Sequence, residues 1–271
     1  MKAVIGVLAA ALLAAVLPAR AAFDQTHALL TAELHKYVDH SLVHYKLWRE
    51  HPEGLNRYLA ELAAITPEEY EKFSENEKKA LWINAYNALI IKIVLDHYPI
   101  HGTKSYYPPN SARQIPNLWD DYHYKVAGRD VNLYAIEHYI LRKDFKDPRV
   151  HFAVVCASRG CPYLRRTAYT PATLDHDLDE AARRYMADPQ HVQYDPENQT
   201  IRVSKLFQWF PLDFAQAAGY KTIPDPPPTD NDIVAAYVLS FAAPEVKAKF
   251  PDISRVDVDY MPYDWALNDA D

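Results

Sequence analysis

Apolar and polar positions change their spacing several times along the chain, and each change marks an element. Ala3 to Val16 carries no charge and follows a short basic start at Lys2, and Leu17-Pro18-Ala19-Arg20-Ala21 supplies a small-x-small cleavage site. This pattern predicts a signal peptide over residues 1–21, cleaved after Ala21, and a mature chain 22–271 that works in the periplasm or is secreted. The run of about fourteen apolar residues is shorter than the roughly 20 that a spanning helix needs, and no later stretch is long enough. Phe23 to Leu62 reads as helices with polar faces, ending at Thr66-Pro67. Ser74-Glu75-Asn76-Glu77 is a capping-box pattern that opens a helix over Lys78 to Tyr98, stopped by Pro99. From Ala80 to Leu95 this helix is apolar around nearly its whole circumference, so it is predicted to run through the core. Asn84 and Asn87 must then be buried or line a cavity.

Beyond it, His101 to Asp121 is rich in Pro, Tyr and Ser without a period and reads as a long ordered loop. Tyr122 to Val131 reads as a hairpin turning near Ala127-Gly128. Leu133, Ile136, Ile140 and Leu141 repeat at helical spacing behind Asn132 as N-cap. Arg149 to Cys156 is a compact apolar run bounded by Pro148 and Ser158-Arg159-Gly160, the pattern of a buried central strand. A helix from Thr170-Pro171 to about Ala187, a hairpin across Pro196 to Gln199, a Pro-rich loop from Ile223 to Asp232, a helix to Phe241 and a strand over Val256 to Tyr260 complete the reading. The expected fold is α+β: a mostly helical single domain packed on a small, largely antiparallel sheet containing Arg149 to Cys156 and the hairpins.

Composition narrows the function. The formal charge of −7 is mild and Lys and Arg are scattered, so no nucleic-acid or anionic-membrane footprint is present. Six Gly against twenty Pro, with no glycine-rich phosphate motif, point to no nucleotide and no cofactor. The expected partner is a small molecule or a peptide.

The chain has two cysteines, Cys156 and Cys161. Their spacing admits a disulfide closing a tight loop, a reactive thiolate at a strand end or helix N-terminus, or buried inert thiols. Nucleophilic catalysis needs a base near the sulfur, yet His151 on one unbroken strand with Cys156 would stand about 16 Å away on the opposite face. Glu137 falls on the apolar stripe of its helix and must find a partner, His151 or Arg149; the arithmetic of rise per residue favours His151. That contact is either a carboxylate orienting a basic imidazole or a buried structural ion pair. His138 points away from the stripe, toward the rim. Glu137, His138, His151, Cys156 and Cys161 have ligand chemistry but no zinc-signature spacing, so no metal is expected. Trp82, Asn84 and Asn87, with Tyr263-Asp264-Trp265 near the C-terminus, suit a ligand cleft of rings and amides or, equally, hydrogen-bonded core plugs.

Five separated motifs, Leu81-Trp82-Ile83-Asn84-Ala85-Tyr86-Asn87-Ala88-Leu89, Ile136-Glu137-His138, His151 to Ser158 leading to Cys161-Pro162, Phe207-Gln208-Trp209-Phe210 with Asp213-Phe214, and Tyr263 to Asn268, stand in order along the chain. Together they resemble the family known as domain of unknown function 547, over about residues 70 to 268. The resemblance directs attention to these residues and assigns them no chemistry. Two functions follow from the residues. One is a thiol-dependent hydrolase or transferase acting outside the cytoplasm on an amide or ester, with Cys156 as nucleophile and Glu137–His151 as acid/base pair. The other is a non-catalytic envelope binding or assembly module with a Cys156–Cys161 disulfide.

Overall fold

A computed structural model describes residues 22–220 and 227–271 of the chain. The predicted signal peptide and part of the Pro-rich loop lie outside the described residues. The α+β expectation holds: helices dominate, and the strands form small sheets of two or three members.

The helix Glu75–His97 is the axis of the molecule. Its capping box is formed in both directions: the Glu77 N–H donates to Ser74 Oγ (3.3 Å) and the Ser74 N–H donates to Glu77 Oε2 (2.6 Å). Its residues from Lys79 to Ile91 are all buried, as an apolar circumference requires. Around it pack Tyr45–Glu50, Glu53–Ala64 and Ala135–Phe145, and Ala28–Tyr37 packs in turn on Glu53–Ala64. A second core gathers Phe152, Tyr185, Phe207, Phe214 and Tyr237 between Leu174–Ala187, Asp230–Phe241 and the largest sheet. In that sheet Val192–Asp195 pairs antiparallel with Thr200–Ser204, which pairs parallel with Asp257–Met261. Two separate hairpins, Val38–Asp39 with Leu42–Val43 and Tyr124–Val126 with Arg129–Val131, complete the strands among the described residues.

Three local expectations are corrected. Arg149 to Cys156 is not a strand and belongs to no sheet: Pro148–Phe152 is a 3-10 turn opened by Asp147, whose side chain accepts the Arg149 N–H, and Ala153 to Cys156 continues as irregular chain. An apolar run signals burial on all sides, and periodicity alone does not tell a strand from a buried turn. The helix expected from Thr170-Pro171 starts at Leu174, behind a turn closed by Thr170 and Thr173. The helix ending at Phe241 begins at Asp230, because Thr229 and Asp232 form a capping box with an aspartate in the usual glutamate position.

Asn84 and Asn87 do what a neighbouring strand would have done. Asn87 Nδ2 donates to the Ala153 carbonyl (2.9 Å) while Asn87 Oδ1 accepts the Val155 N–H (2.9 Å). Asn84 makes the same two-point clasp on Tyr169, donating to its carbonyl (2.8 Å) and accepting its N–H (2.9 Å). Each amide mimics one rung of a ladder and satisfies buried backbone groups that no strand reaches. The core-plug alternative therefore describes both residues. Trp82 is likewise buried, its indole N–H donating to the Tyr70 hydroxyl (2.8 Å).

Candidate functional site

Immediately after the segment clasped by Asn87, Cys156 and Cys161 are joined in a disulfide, their Cα atoms 6.1 Å apart. The C-terminal tail docks on this loop. The Arg159 N–H donates to the Ala266 carbonyl (2.8 Å), the Gly160 N–H to Asp264 (2.9 Å), and the Asn268 N–H to Ala157 (3.1 Å). A Cβ at Gly160 would stand 3.0 Å from the backbone N and O of Asp264, so only glycine lets the tail come this close. The docking carries Tyr263 to the disulfide, with its hydroxyl 3.3 Å from each sulfur. Burial raises the Tyr263 pKa well above the ordinary phenol value, so the group stays protonated and can donate. Cys161 Sγ also accepts the Cys156 N–H (2.9 Å) and the Ser158 N–H (3.4 Å). Cys161 is buried; Cys156 is partly exposed.

Asp213 organises the opposite side. Its Oδ2 accepts His151 Nε2 (2.7 Å) and Arg142 Nε (2.5 Å), and its Oδ1 accepts Arg142 Nη2 (3.1 Å). Burial alone would raise the Asp213 pKa, but the hydrogen bonds from His151 and Arg142 and their charges outweigh it and hold the carboxyl at about 2. Arg142 Nη1 also donates to His138 Nδ1 (2.6 Å), which requires a neutral His138 imidazole; burial accordingly lowers the His138 pKa. The His151 ring is buried and stacks on Phe210 (centroids 4.3 Å, 18° between planes). Glu137, His138 and Arg142 share a π-helix, Ala135–Phe145, a rare form with i→i+5 hydrogen bonds that is frequent at functional sites. Asn132 caps its start, its side chain accepting the Ala135 N–H (2.7 Å).

The disulfide and His151 border one cavity of about 250 Å³, whose lining also includes Glu137 and His138. Aromatic rings form much of its wall, with Trp209, Tyr263 and Trp265 in mutual contact at centroid distances of 4.5–5.5 Å. At one side the Arg113 guanidinium lies between Trp119 and Trp265, 4.5 Å from each ring. Among the described residues no carboxylate pairs with it, and its Nε is buried without a hydrogen-bond partner. Glu137 accepts a hydrogen bond from the Tyr86 hydroxyl (3.2 Å), which in turn accepts the Trp119 indole N–H (3.2 Å).

The Glu137–His151 contact expected from sequence is replaced by Tyr86–Glu137 and His151–Asp213. Its arithmetic assumed an ordinary helix packed on a strand; the π-helix alters the pitch and the 3-10 turn shortens the path to His151. Arg149, the other partner considered for Glu137, binds Asp147, Asp175 and Asp179 instead, at 2.8, 2.9 and 2.7 Å. With no strand there, the strand spacing of about 16 Å does not apply, and His151 and Cys156 border one cavity. Of the aromatic and amide candidates, Tyr263 and Trp265 line it, while Trp82, Asn84 and Asn87 do not. Asp264 is exposed and accepts the Ala266 N–H (2.9 Å), bracing the tail. Sequence reasoning gave no role to Asp213, Arg142, Arg113, Tyr86 or Trp119. Asp213 stands within the Phe207 to Phe214 motif, a usable signal; Arg113 lies in a stretch without any pattern.

Residues 70–186 match the profile of the family described as "Protein of unknown function, DUF547", a stretch that includes Glu137, His138, His151, Cys156 and Cys161. Tyr263 and Trp265 reach the same cavity from outside that stretch, and Asp213, also outside it, holds His151 from behind the cavity wall. No curated protein and no solved structure matches the chain. By sequence, then, the chain resembles the DUF547 family over residues 70–186.

Proposed function

We propose that the protein is an exported thiol-dependent hydrolase or transferase acting on an amide or ester, active when Cys156 is reduced. The observation that carries this reading is that Cys156 and an Asp213-held His151 both line one largely apolar cleft. A nucleophilic thiol, a base and a group that orients the base are the parts such chemistry requires. The Cys156 thiol would pass its proton to the imidazole and attack the acyl carbon as thiolate; the imidazolium would then protonate the departing amine or alcohol. Water or a second amine would then take the acyl group from sulfur. Arg113, a cation without a carboxylate partner among the described residues, suits a substrate bearing an anionic group, whose apolar body would lie along Trp209 and Trp265. A disulfide in the cleft wall suits an oxidising compartment and accords with the signal-like start of the sequence.

The disulfide itself favours a second reading, a binding or assembly module in which the same cleft recognises its ligand without chemistry. p-Nitrophenyl acetate separates the two. Pre-reduced protein should release a burst of about one nitrophenol per chain, absent in Cys156→Ser and strongly slowed in His151→Asn. Equal slow release by all three proteins would overturn the catalytic reading.

A further inference from the structure

We infer that the Cys156–Cys161 disulfide is an exchange-active bond that a thiol opens from the cleft, with Cys156 the sulfur attacked and Cys161 the sulfur released. This deepens the thiol reading by naming the reaction that must supply its active form. The two sulfurs differ in ways that bear on each step of exchange. Cys156 is partly exposed and borders the cavity, so an incoming thiolate has a path to its Sγ. Cys161 is buried, and three donors converge on its Sγ: the Cys156 N–H and the Ser158 N–H, which point at it alone, and the Tyr263 hydroxyl, which stands 3.3 Å from both sulfurs. Donors fixed around a sulfur stabilise the thiolate that appears there, and exchange is faster when the leaving thiol has the lower pKa. What separates the two sulfurs is exposure and the two backbone N–H groups that point at Cys161 alone.

The reductant is a dithiol. Its first thiolate attacks Cys156 Sγ; a new S–S bond forms, the Cys156–Cys161 bond breaks, and its electron pair leaves on Cys161 Sγ. The second thiolate of the dithiol then attacks the sulfur bound to Cys156 and expels Cys156 as thiolate. The dithiol is oxidised by two electrons to a cyclic or protein disulfide, and the two cysteines are reduced by two. The product has Cys156 free at the cleft, bordered by the same wall as His151.

A monothiol makes the first step without a tethered second thiol, and acid traps the mixed disulfide before Cys161 or a second monothiol resolves it. Native oxidised protein incubated with reduced glutathione, quenched in acid and analysed by peptide mass spectrometry should carry glutathione on Cys156 and a free thiol at Cys161. Tyr263→Phe removes one of the three donors and should slow adduct formation severalfold without moving the adduct. Glutathione on Cys161, an even split between the two, or no adduct except under denaturant would each overturn the inference. The same holds if Tyr263→Phe leaves the rate unchanged. The nitrophenol burst is measured on protein already reduced, so failure of the catalytic reading and failure of this one are seen in separate experiments.

Discussion

Asn87→Leu tests how the cysteine-bearing segment is held. The substitution deletes both arms of the clasp and strands the Ala153 carbonyl and the Val155 N–H, which lie in residues 2% and 1% exposed. A buried backbone group left unsatisfied costs about 1–3 kcal/mol, so two cost about 2–6. The leucine recovers at most about 2 kcal/mol of apolar burial, and its branched end does not match the planar amide. Subtracting that recovery leaves a net loss centred on about 2 kcal/mol and reaching about 4, a large part of a typical stability of about 5–15. With a urea m-value of about 3 kcal/mol/M the midpoint should fall by about 1 M. Asn84→Leu, which frees the Tyr169 carbonyl and N–H in the same way, should lose a similar amount. Only Asn87→Leu, however, loosens the residues leading into Cys156, so it alone should change the glutathione reactivity of the disulfide. An unchanged midpoint would mean that the backbone groups find other partners and that the clasp is not what replaces a strand here.

Acid should destabilise the fold well above the carboxylate range. His27 and His191 are buried, and burial outweighs the nearby Asp24 and Asp188 charges to hold each pKa at about 4. The unfolded chain protonates these rings near pH 6.5 while the native chain resists until about pH 4, so their contribution is complete above pH 6.5 and declines between these values. Each is worth up to about 3 kcal/mol; urea melts at pH 7 and pH 4.5 measure it, and stability that holds level or rises on acidification would refute it. Asp213→Asn should leave Arg142 without its carboxylate and His151 without its orienting partner, slowing the nitrophenol burst by at least about tenfold, the scale of general-base effects. A burst as fast as that of the unsubstituted protein would exclude His151 as the base. Arg113→Gln should raise KM for an ester carrying a carboxylate more than for its neutral amide counterpart; equal changes would remove the anion-binding role.

The helical body was legible because its signals are local. Ser74 with Glu77, the all-round apolar stretch from Ala80 to Leu95 and the turn at Ala127-Gly128 act within a few residues, and the elements formed there. The two hairpins flanking Gly128 and Pro196 to Gln199 formed for the same reason. The site was only partly legible, because it depends on contacts that the chain makes far from its own neighbourhood. Arg149 to Cys156 looks like a strand, since burial on all sides leaves the same apolar signature whichever backbone is adopted. What decides the conformation is Asn87, 66 residues from Ala153. The partner of His151 is likewise 62 residues away, at Asp213, and a carboxylate near one imidazole cannot be picked from 36 acidic residues by spacing. Tyr263 and Trp265 could be singled out as rings beside a polar group, but their approach to the disulfide rests on a glycine at 160 and on backbone bonds from the tail.

The central claim is that Cys156, once reduced, is an activated thiolate served by His151. Its most direct test is the pH dependence of iodoacetamide alkylation at Cys156 in Cys161→Ser, which leaves one thiol, with and without His151→Asn. The midpoint should lie below the ordinary cysteine value of about 8.5 and move up toward it when His151 is replaced. A midpoint at or above about 8.5, unaltered by His151→Asn, would contradict it.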